Sequence, residues 1–224
     1  EALSVYVSDL HSRTIGIDRL TVTASGMNAI MLVSQALIDN GDNMVVVGPV
    51  WPNCSQTVQV MGGEARQVAL RPDENGLWQL DIDALFDLCD DRTRAVFVNS
   101  PGNPTGWVMK SSEQRVLLDE CKKRGMYVVA DEVYIRLAYE QPRAPSFLDI
   151  SLSDDPLIVI NSFSKTWSMT GWRLGYIGAP RKIAKSIKRK IRKAFYHFTI
   201  ENFYKKKLIM PLPQYIQLEP TIRC

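Results

Sequence analysis

The sequence has few of the residues on which several common classes of protein depend. Only two histidines, His11 and His197, occur in 224 residues, so catalysis built on a histidine base is disfavoured. The four cysteines are scattered without a Cys-x-x-Cys pair, which argues against a zinc site or a disulfide framework and fits a cytoplasmic protein. No apolar run approaches the roughly 20 residues of a membrane-spanning helix. The amino terminus lacks a secretory signal pattern.

Charge is distributed unevenly along the chain. The formal net charge is only +3, and a composition of 46% hydrophobic and 23% charged residues is that of an ordinary globular protein. Residues 1–180, however, contain 15 lysines and arginines against 22 aspartates and glutamates, whereas residues 181–224 contain 12 against 2. The last 44 residues therefore need an explanation separate from that of the globular part.

Between residues 20 and 178, short β-rich runs alternate with longer helical patterns. The predicted strands are Leu20–Ala24, Met44–Val47, Ala65–Leu70, Arg94–Asn99, Tyr127–Ala130, Leu157–Asn161 and Arg173–Gly178. The predicted helices are Met27–Ile38, Pro52–Met61, Ile82–Cys89 and Ser112–Lys123. Continuous apolar runs such as Val45–Val47 indicate strands that are buried on both faces. The pattern predicts a three-layer α/β/α fold with a mostly parallel, seven-stranded sheet.

Polar residues follow the predicted strands at their carboxyl ends, where open α/β sheets bind ligands. Ser25 and Gly26 open a helix whose free N–H groups suit an anion such as phosphate, although a plain N-cap turn has the same pattern. Lys165 follows the strand Leu157–Asn161, where a lysine can act as an amine nucleophile. Arg173 is a natural anion partner. The alternative is a surface lysine and a structural arginine.

Further candidates follow other strands. Asp131 comes after the apolar run Tyr127–Ala130, so its carboxylate needs either a cationic partner or a role as an N-cap. Tyr134 can reach the same pocket, and dense turn chemistry fixes Asn103. Trp51, between two prolines, is either core filler or a stacking plate. A phosphate cradle, an amine nucleophile, a carboxylate that seeks a ring cation and a stacking plate are together what pyridoxal phosphate requires.

Three segments resemble the signature motifs of the class I/II pyridoxal-phosphate aminotransferases, which have fold type I. Residues 162–175, SFSKTWSMTGWRLG, are similar to the lysine signature of that family. Asn103–Gly106 and Asp131–Tyr134 are similar to its two other hallmarks and occur in the same order. The resemblance covers residues 1–180 and implies the large, cofactor-binding domain of such an enzyme.

The resemblance also implies a role for each candidate residue. Lys165 forms the Schiff base with the cofactor and moves the proton between the substrate and the cofactor. Asp131 keeps the ring nitrogen protonated, while Tyr134 and Asn103 hydrogen-bond the phenolic oxygen. Trp51 stacks on the ring. The phosphate is held by a set of groups from two segments: Ser25, Gly26, Met27, Ser162 and Arg173.

The function implied by the resemblance is transfer of an amino group from an amino acid to a 2-oxo acid. A pyridoxal-phosphate-dependent lyase of the same fold is the first alternative. A truncated, catalytically inactive cofactor-binding fragment is the second, because family members continue into a smaller domain that carries a carboxylate-binding arginine. Family members are usually homodimers, so a homodimer is expected of the full-length protein.

The basic segment at the end of the chain is expected to differ from the family. We predict a cofactor-binding domain over residues 1–180, a helix that continues to about residue 193, and a family-atypical tail over 194–224. A basic amphipathic stretch can bind a membrane or nucleic acid. The favoured interpretation is a solvated helix that packs on the smaller domain, so neither a membrane nor a nucleic-acid partner is predicted.

Overall fold

The computed structural model describes residues 1–139 and 141–192. Seven strands of this part form one sheet in the order β1-β9-β8-β7-β6-β2-β3. Their bounds are Leu20–Thr23 (β1), Asn43–Gly48 (β2), Glu64–Ala69 (β3), Thr93–Asn99 (β6), Tyr127–Asp131 (β7), Leu157–Ser162 (β8) and Gly175–Gly178 (β9). Strands β3, β2, β6, β7 and β8 run parallel, and β9 pairs antiparallel with both β8 and β1. The predicted seven-stranded, mostly parallel sheet is confirmed.

Helices cover the sheet. Their bounds are Ala2–Leu10 (α1), Gly26–Leu37 (α2), Asn53–Val60 (α3), Ile82–Asp87 (α4), Ser111–Lys123 (α5), Phe147–Ile150 (α6) and Phe163–Thr166 (α7), and residues 181–192 are also helical. Short 3-10 helices span Ile17–Arg19 and Thr170–Trp172, and a small hairpin pairs β4 (Arg71–Pro72) with β5 (Trp78–Gln79). The four predicted helices are present, with ends shifted by at most two residues.

The apolar strands are buried on both faces, as their continuous hydrophobic runs predict. Every residue of β2 and β8 is buried. Because successive side chains of a strand point to opposite faces, Val45 and Val47 join one core cluster that also contains Leu117 of α5 and Leu85 of α4. Helices α2 and α3 pack against each other, and α2 contacts β8 and β9. Because β6, β7 and β8 pair in parallel, their carboxyl ends lie together at one side of the sheet.

Nine of the fourteen strand ends differ from the sequence-based prediction by one or two residues, and the differences at Arg173 and Asp131 concern the candidate site. Strand β9 begins at Gly175 instead of Arg173, because Arg173 has the left-handed conformation (φ 51°, ψ 52°) that ends the preceding 3-10 turn and is incompatible with a strand. Asp131 is the last residue of β7 and not the first residue after it. Arg173 therefore lies in the turn before β9, and Asp131 lies within the sheet at the end of β7.

The basic tail predicted over residues 194–224 lies outside the described residues, and so does the predicted end of its helix at 193. Within the described part, no helix is long and apolar enough to cross a membrane. No group of three or more His, Cys, Asp and Glu side chains there is arranged to hold a metal ion. The three cysteines in that part, Cys54, Cys89 and Cys121, are free thiols.

Candidate active site

A cavity of about 390 Å³ opens at the carboxyl ends of the parallel strands. It is lined by residues from strand ends and from the turns that follow them. All ten candidate residues line this one cavity: Ser25, Gly26, Met27, Trp51, Asn103, Asp131, Tyr134, Ser162, Lys165 and Arg173. Segments separated by almost 150 positions in the sequence thus converge on a single site.

The amino end of α2 forms one wall. Ser25 is its N-cap and accepts a hydrogen bond of 3.0 Å from the backbone N–H of Asn28. A Cβ atom on Gly26 would lie 3.3 Å from Cβ of Ser162, and one on Gly175 would lie 2.7 Å from the carbonyl carbon of Ser25. Helix α2, β8 and β9 meet so closely that a side chain at Gly175 would clash with the backbone of Ser25, and one at Gly26 would require Ser162 to shift. The resulting cradle of N–H and hydroxyl groups fits a phosphate.

Backbone strain is concentrated beside this cradle. Four non-glycine residues of the described part have positive φ, and three of them are Ser25 (152°), Ser168 (52°) and Arg173 (51°). The Arg173 guanidinium donates a hydrogen bond of 2.8 Å to the carbonyl oxygen of Thr170 and is otherwise exposed at the cavity. Such conformations cost free energy and persist at ligand-binding sites. The strain is consistent with a turn shaped around an anion.

Asp131 lies at the floor of the cavity. Its Oδ1 accepts a hydrogen bond of 3.2 Å from the backbone N–H of Val133. Burial raises the pKa of the Asp131 carboxyl to about 6 against the opposing effect of that hydrogen bond. Within residues 1–139 and 141–192, no lysine, arginine or histidine forms an ion pair with it. The protonated nitrogen of a pyridine ring would supply the cation that this carboxylate lacks.

Two polar groups stand on another side of the cavity. The Asn103 side-chain Nδ2 lies 3.2 Å from the Tyr134 hydroxyl, to which it donates a hydrogen bond. The Asn103 carbonyl accepts a hydrogen bond of 3.0 Å from the backbone N–H of Trp51, and Val50 and Pro104 form a β-bridge beside it. The loop that carries Trp51 is thereby tied to the loop that carries Asn103. Trp51 is 58% exposed, which excludes the core-filler interpretation.

Lys165 lies on the short helix α7, directly after β8. Its side chain is exposed and faces the same cavity as Asp131 and Asn103. Ser162 is the N-cap of this helix, and its Oγ accepts a hydrogen bond of 3.2 Å from the backbone N–H of Ser164. Aromatic contacts hold the far side of α7, because Tyr6 of α1 packs against both Phe163 and Trp167. The Lys165 amine is therefore carried by a short helix that aromatic contacts hold in place.

Sequence reasoning did not select six further residues that line the cavity: Ile30, Asn53, Asn99, Val133, Ser164 and Thr170. Asn99 and Ser164 belong to the polar clusters at strand ends, and that position was the signal by which they could have been found. Ile30 lies one helical turn after Gly26 on α2. The others differ little in sequence from ordinary turn residues.

Comparison with known proteins identifies the family. The pattern described as aminotransferase class I and II matches residues 2–201. The aspartate aminotransferase of Thermotoga maritima is 33% identical over 189 residues, which are 84% of this chain and 49% of that protein. A probable aspartate/prephenate aminotransferase of Aquifex aeolicus is 32% identical over 171 residues, which are 75% of this chain and 42% of that protein. The chain therefore belongs to the class I and II aminotransferases, a family that uses pyridoxal phosphate.

Solved structures agree with this assignment. An alanine aminotransferase from Pyrococcus furiosus has a TM-score of 0.79 at 31% identity and covers 86% of this chain and 50% of that one. An Escherichia coli protein with an identified methionine aminotransferase function has a TM-score of 0.78 at 28% identity, with 84% and 49% covered. The chain spans about half the length of the curated relatives that it matches. The names of these relatives specify different amino acids, so the similarity does not identify the amino acid on which this chain acts.

Proposed function

We propose that this chain is the cofactor-binding part of an amino acid aminotransferase, which transfers an amino group to a 2-oxo acid by way of pyridoxal phosphate on Lys165. The observation that supports this most directly is the cavity shared by Lys165, Asp131 and the α2 cradle. When bound, the cofactor supplies an aldehyde that takes up amino groups and a ring that accepts electrons.

Residues of the chain would hold the cofactor and move the protons. Asp131 holds a proton on the ring nitrogen, and its charge is balanced there by the cation that the described residues do not provide. Asn103 and Tyr134 donate hydrogen bonds to the phenolic oxygen of the cofactor. Lys165 would hold the cofactor through Nζ, and its amine, when free, would accept a proton from the substrate Cα and return one to it.

Binding and orientation come from the remaining groups. Ser25, Ser162 and Arg173 bind the phosphate, together with the backbone N–H groups of Gly26 and Met27. Trp51 would cover one face of the ring and exclude water from it. These roles follow from the family resemblance, and the convergence of all ten residues on one cavity supports them.

A direct test combines spectroscopy with chemical trapping. The purified 224-residue chain is mixed with pyridoxal phosphate, and the visible absorbance of the lysine-bound cofactor is measured. We expect a band in the unaltered chain and none in Lys165→Ala. Reduction with borohydride followed by peptide mass spectrometry should locate the cofactor on Lys165. The matched control is Lys110→Ala, because Lys110 is exposed outside this cavity and its loss should leave the band unchanged.

The same preparation separates the alternative functions. Addition of an amino acid to an aminotransferase converts the bound cofactor to its aminated form, and a 2-oxo acid restores the original band. Release of pyruvate or ammonia without that cycle would identify the lyase. Absence of any Lys165-dependent band would show that this chain does not hold the cofactor by itself, since the relatives are about twice as long.

The limits of the domain and its assembly are part of the same proposal. We place the cofactor-binding domain at residues 1–180, with a helix that continues to about 193 and a distinct basic segment over 194–224. A full-length protein of this family would be a homodimer that takes amino acids and 2-oxo acids as substrates. Cytoplasmic location remains a prediction from the use of cysteine.

A further inference from the structure

Asn99, to which the proposed chemistry assigns no role, lies at the carboxyl end of β6, an inner strand of the sheet. It is the last residue of β6, and its backbone lies opposite Asp131 in the parallel pair β6–β7. The residue is 6% exposed and lines the cavity that also contains Lys165. A buried amide here has to satisfy both its donor and its acceptor groups.

Both groups are satisfied by residues of the candidate site. The Asn99 Nδ2 donates a hydrogen bond of 3.0 Å to the backbone carbonyl of Asp131. The Asn99 Oδ1 accepts a hydrogen bond of 2.8 Å from the backbone N–H of Asn103. One short side chain therefore joins the end of β7 to the turn that follows β6.

Each of these partners carries a group with an assigned task. Asp131 presents the carboxylate for the ring nitrogen, and Asn103 presents an amide that also contacts the Tyr134 hydroxyl at 3.2 Å. The ring nitrogen and the phenolic oxygen are separate atoms of one rigid ring, so their two partners must keep a fixed spacing. Among the described residues, Asn99 is hydrogen-bonded through its side chain to both of the segments that carry them.

We propose that Asn99 is a positioning residue that fixes the spacing between Asp131 and Asn103 and thereby tunes the bound cofactor. The expected effect on the cofactor rests on the proposed function, whereas the link between the two segments rests on the two Asn99 hydrogen bonds alone. The two hydrogen bonds need an acceptor and a donor on the same short side chain, which alanine lacks and which aspartate supplies only in part. Asn99 touches the partners and not the reacting atoms.

Asn43 provides a matched control at the opposite end of the sheet. It is the first residue of β2 and is 1% exposed. Its Nδ2 donates a hydrogen bond of 2.7 Å to the Asp90 carboxylate, and its Oδ1 accepts one of 2.7 Å from the Thr93 hydroxyl. Asn43→Ala therefore also removes one donated and one accepted hydrogen bond of a buried asparagine, here with side-chain partners, and it does not touch the cavity.

The test compares Asn99→Ala with Asn43→Ala in the 224-residue chain. We expect Asn99→Ala to weaken pyridoxal phosphate binding by about tenfold or more. The pKa of the lysine-bound cofactor, measured as the midpoint of its absorbance change with pH, should also rise. The reason is that Asn103 and Tyr134 would hydrogen-bond the phenolic oxygen less well. Asn43→Ala should lower the Tm and leave both quantities unchanged. Equal effects of the two variants, or no effect of Asn99→Ala on either quantity, would overturn the proposal.

Hydrogen exchange of the cofactor-free chain tests the linkage by itself. The backbone amide of Asn103 should lose protection in Asn99→Ala but keep it in Asn99→Asp, which retains the acceptor oxygen, and in Asn43→Ala. Unchanged protection in Asn99→Ala would overturn the proposal whether or not the cofactor binds. If the unaltered chain does not bind the cofactor, the proposed function fails for this chain, and hydrogen exchange still decides whether Asn99 holds the turn.

Discussion

Carboxylates at the amino ends of strands β2, β6 and β8 have cationic partners, whereas those at the carboxyl end of β7 have none among the described residues. The three amino-end pairs are Asp42 with Arg94 at 2.9 Å, Asp90 with Arg66 at 2.7 Å, and Asp155 with Lys122 at 2.7 Å. At the other end, Asp131 and Glu132 have only uncharged hydrogen-bond donors within the described part. Within the described residues, carboxylates are thus neutralised by ion pairs at the amino ends of the strands and lack such partners at the carboxyl end of β7.

The pKa values follow the same division. At the amino ends, hydrogen bonds from Arg66 and Asn43 lower the pKa of Asp90 to about 2. At the carboxyl end, burial raises the pKa of Asp131 to about 6 and that of Glu132 to about 8, against the effect of their hydrogen bonds. The amino-end charges stabilise the fold. At the carboxyl end, the charged forms of Asp131 and Glu132 are costly, and of these two carboxylates only Asp131 lines the cavity, where a bound cation could compensate its charge.

Asp131→Asn should show the largest effect, because it removes a charge that is costly in the free chain and required in the loaded one. Loss of the ion pair to the ring nitrogen, worth about 3–4 kcal/mol, should slow amination of the bound cofactor by about 10²–10³-fold. The cofactor-free variant should instead be more stable at pH 7, by roughly 1–2 kcal/mol. Rapid mixing with an amino acid and urea unfolding measure the two quantities.

An exposed aspartate of α4 provides the control for that variant. Asp83→Asn should leave the amination rate unchanged and should lower the free energy of unfolding at pH 7 by no more than about 0.3–1 kcal/mol, since it removes a charge from the first turn of a helix. If Asp131→Asn aminated its cofactor at the original rate, the contrast between the two ends of the strands would have no functional meaning. If it were less stable than the unaltered chain without cofactor, the Asp131 carboxylate would not be the costly group inferred here.

Glu132→Gln tests the second buried carboxylate through the pH dependence of stability. Glu132 accepts hydrogen bonds from the Ser146 hydroxyl at 2.6 Å and from the Phe147 N–H at 2.9 Å, and burial raises its pKa from 4.5 to about 8. Because the folded pKa is above the unfolded one, folding takes up a proton between these values. The contribution of neutral Glu132 is therefore complete below about pH 4.5 and is lost as the pH rises through about 8.

We expect Glu132→Gln to be more stable than the unaltered chain at pH 8 by on the order of 2–4 kcal/mol and to differ little at pH 4.5. Thermal unfolding of the cofactor-free chain across this range measures the difference. Glu74→Gln, in the exposed turn between β4 and β5, should leave the pH profile unchanged. A stability gap that stayed constant with pH would mean that Glu132 does not titrate in this range.

Strands β2, β6, β7 and β8 could be predicted from the sequence because each is a largely apolar run, and burial on both faces leaves little choice of structure. Strand β3 is mostly exposed and could be predicted only as one of the β-rich runs that alternate with helical patterns. All seven predicted strands are present. The hairpin of β4 and β5 and the helices α6 and α7 were not predicted, because two to four residues are too few to show a period. Helix α1 lies before the first predicted strand, where no pattern was assigned.

The candidate site was predictable as a set of residues and not as a set of contacts. Lys165 and Asp131 could be selected because their residue types are unusual beside buried strands. The position of Asn99 at a strand end marks it as a residue near the site, but its role could not be predicted, because an asparagine before a proline-rich turn looks like ordinary turn chemistry. The role of Asn99 depends on where its side-chain Nδ2 and Oδ1 point, and only the three-dimensional structure shows that.

The smallest effect is expected at the amino end, from Asp155→Asn. The amide keeps an oxygen to accept the hydrogen bond of 2.7 Å from the Leu152 N–H but loses the charge that faces Lys122. Because Lys122 is 55% exposed, solvent screens the pair, and its loss should cost only about 0.5–1 kcal/mol of unfolding free energy. Asp155 precedes β8, whereas Ser162 and the cavity lie at its other end, so the cofactor Kd should not change. A more than twofold change in that Kd would contradict the separation of the two ends of the strands, whereas a small loss of stability at constant Kd would confine the role of this charge to the fold.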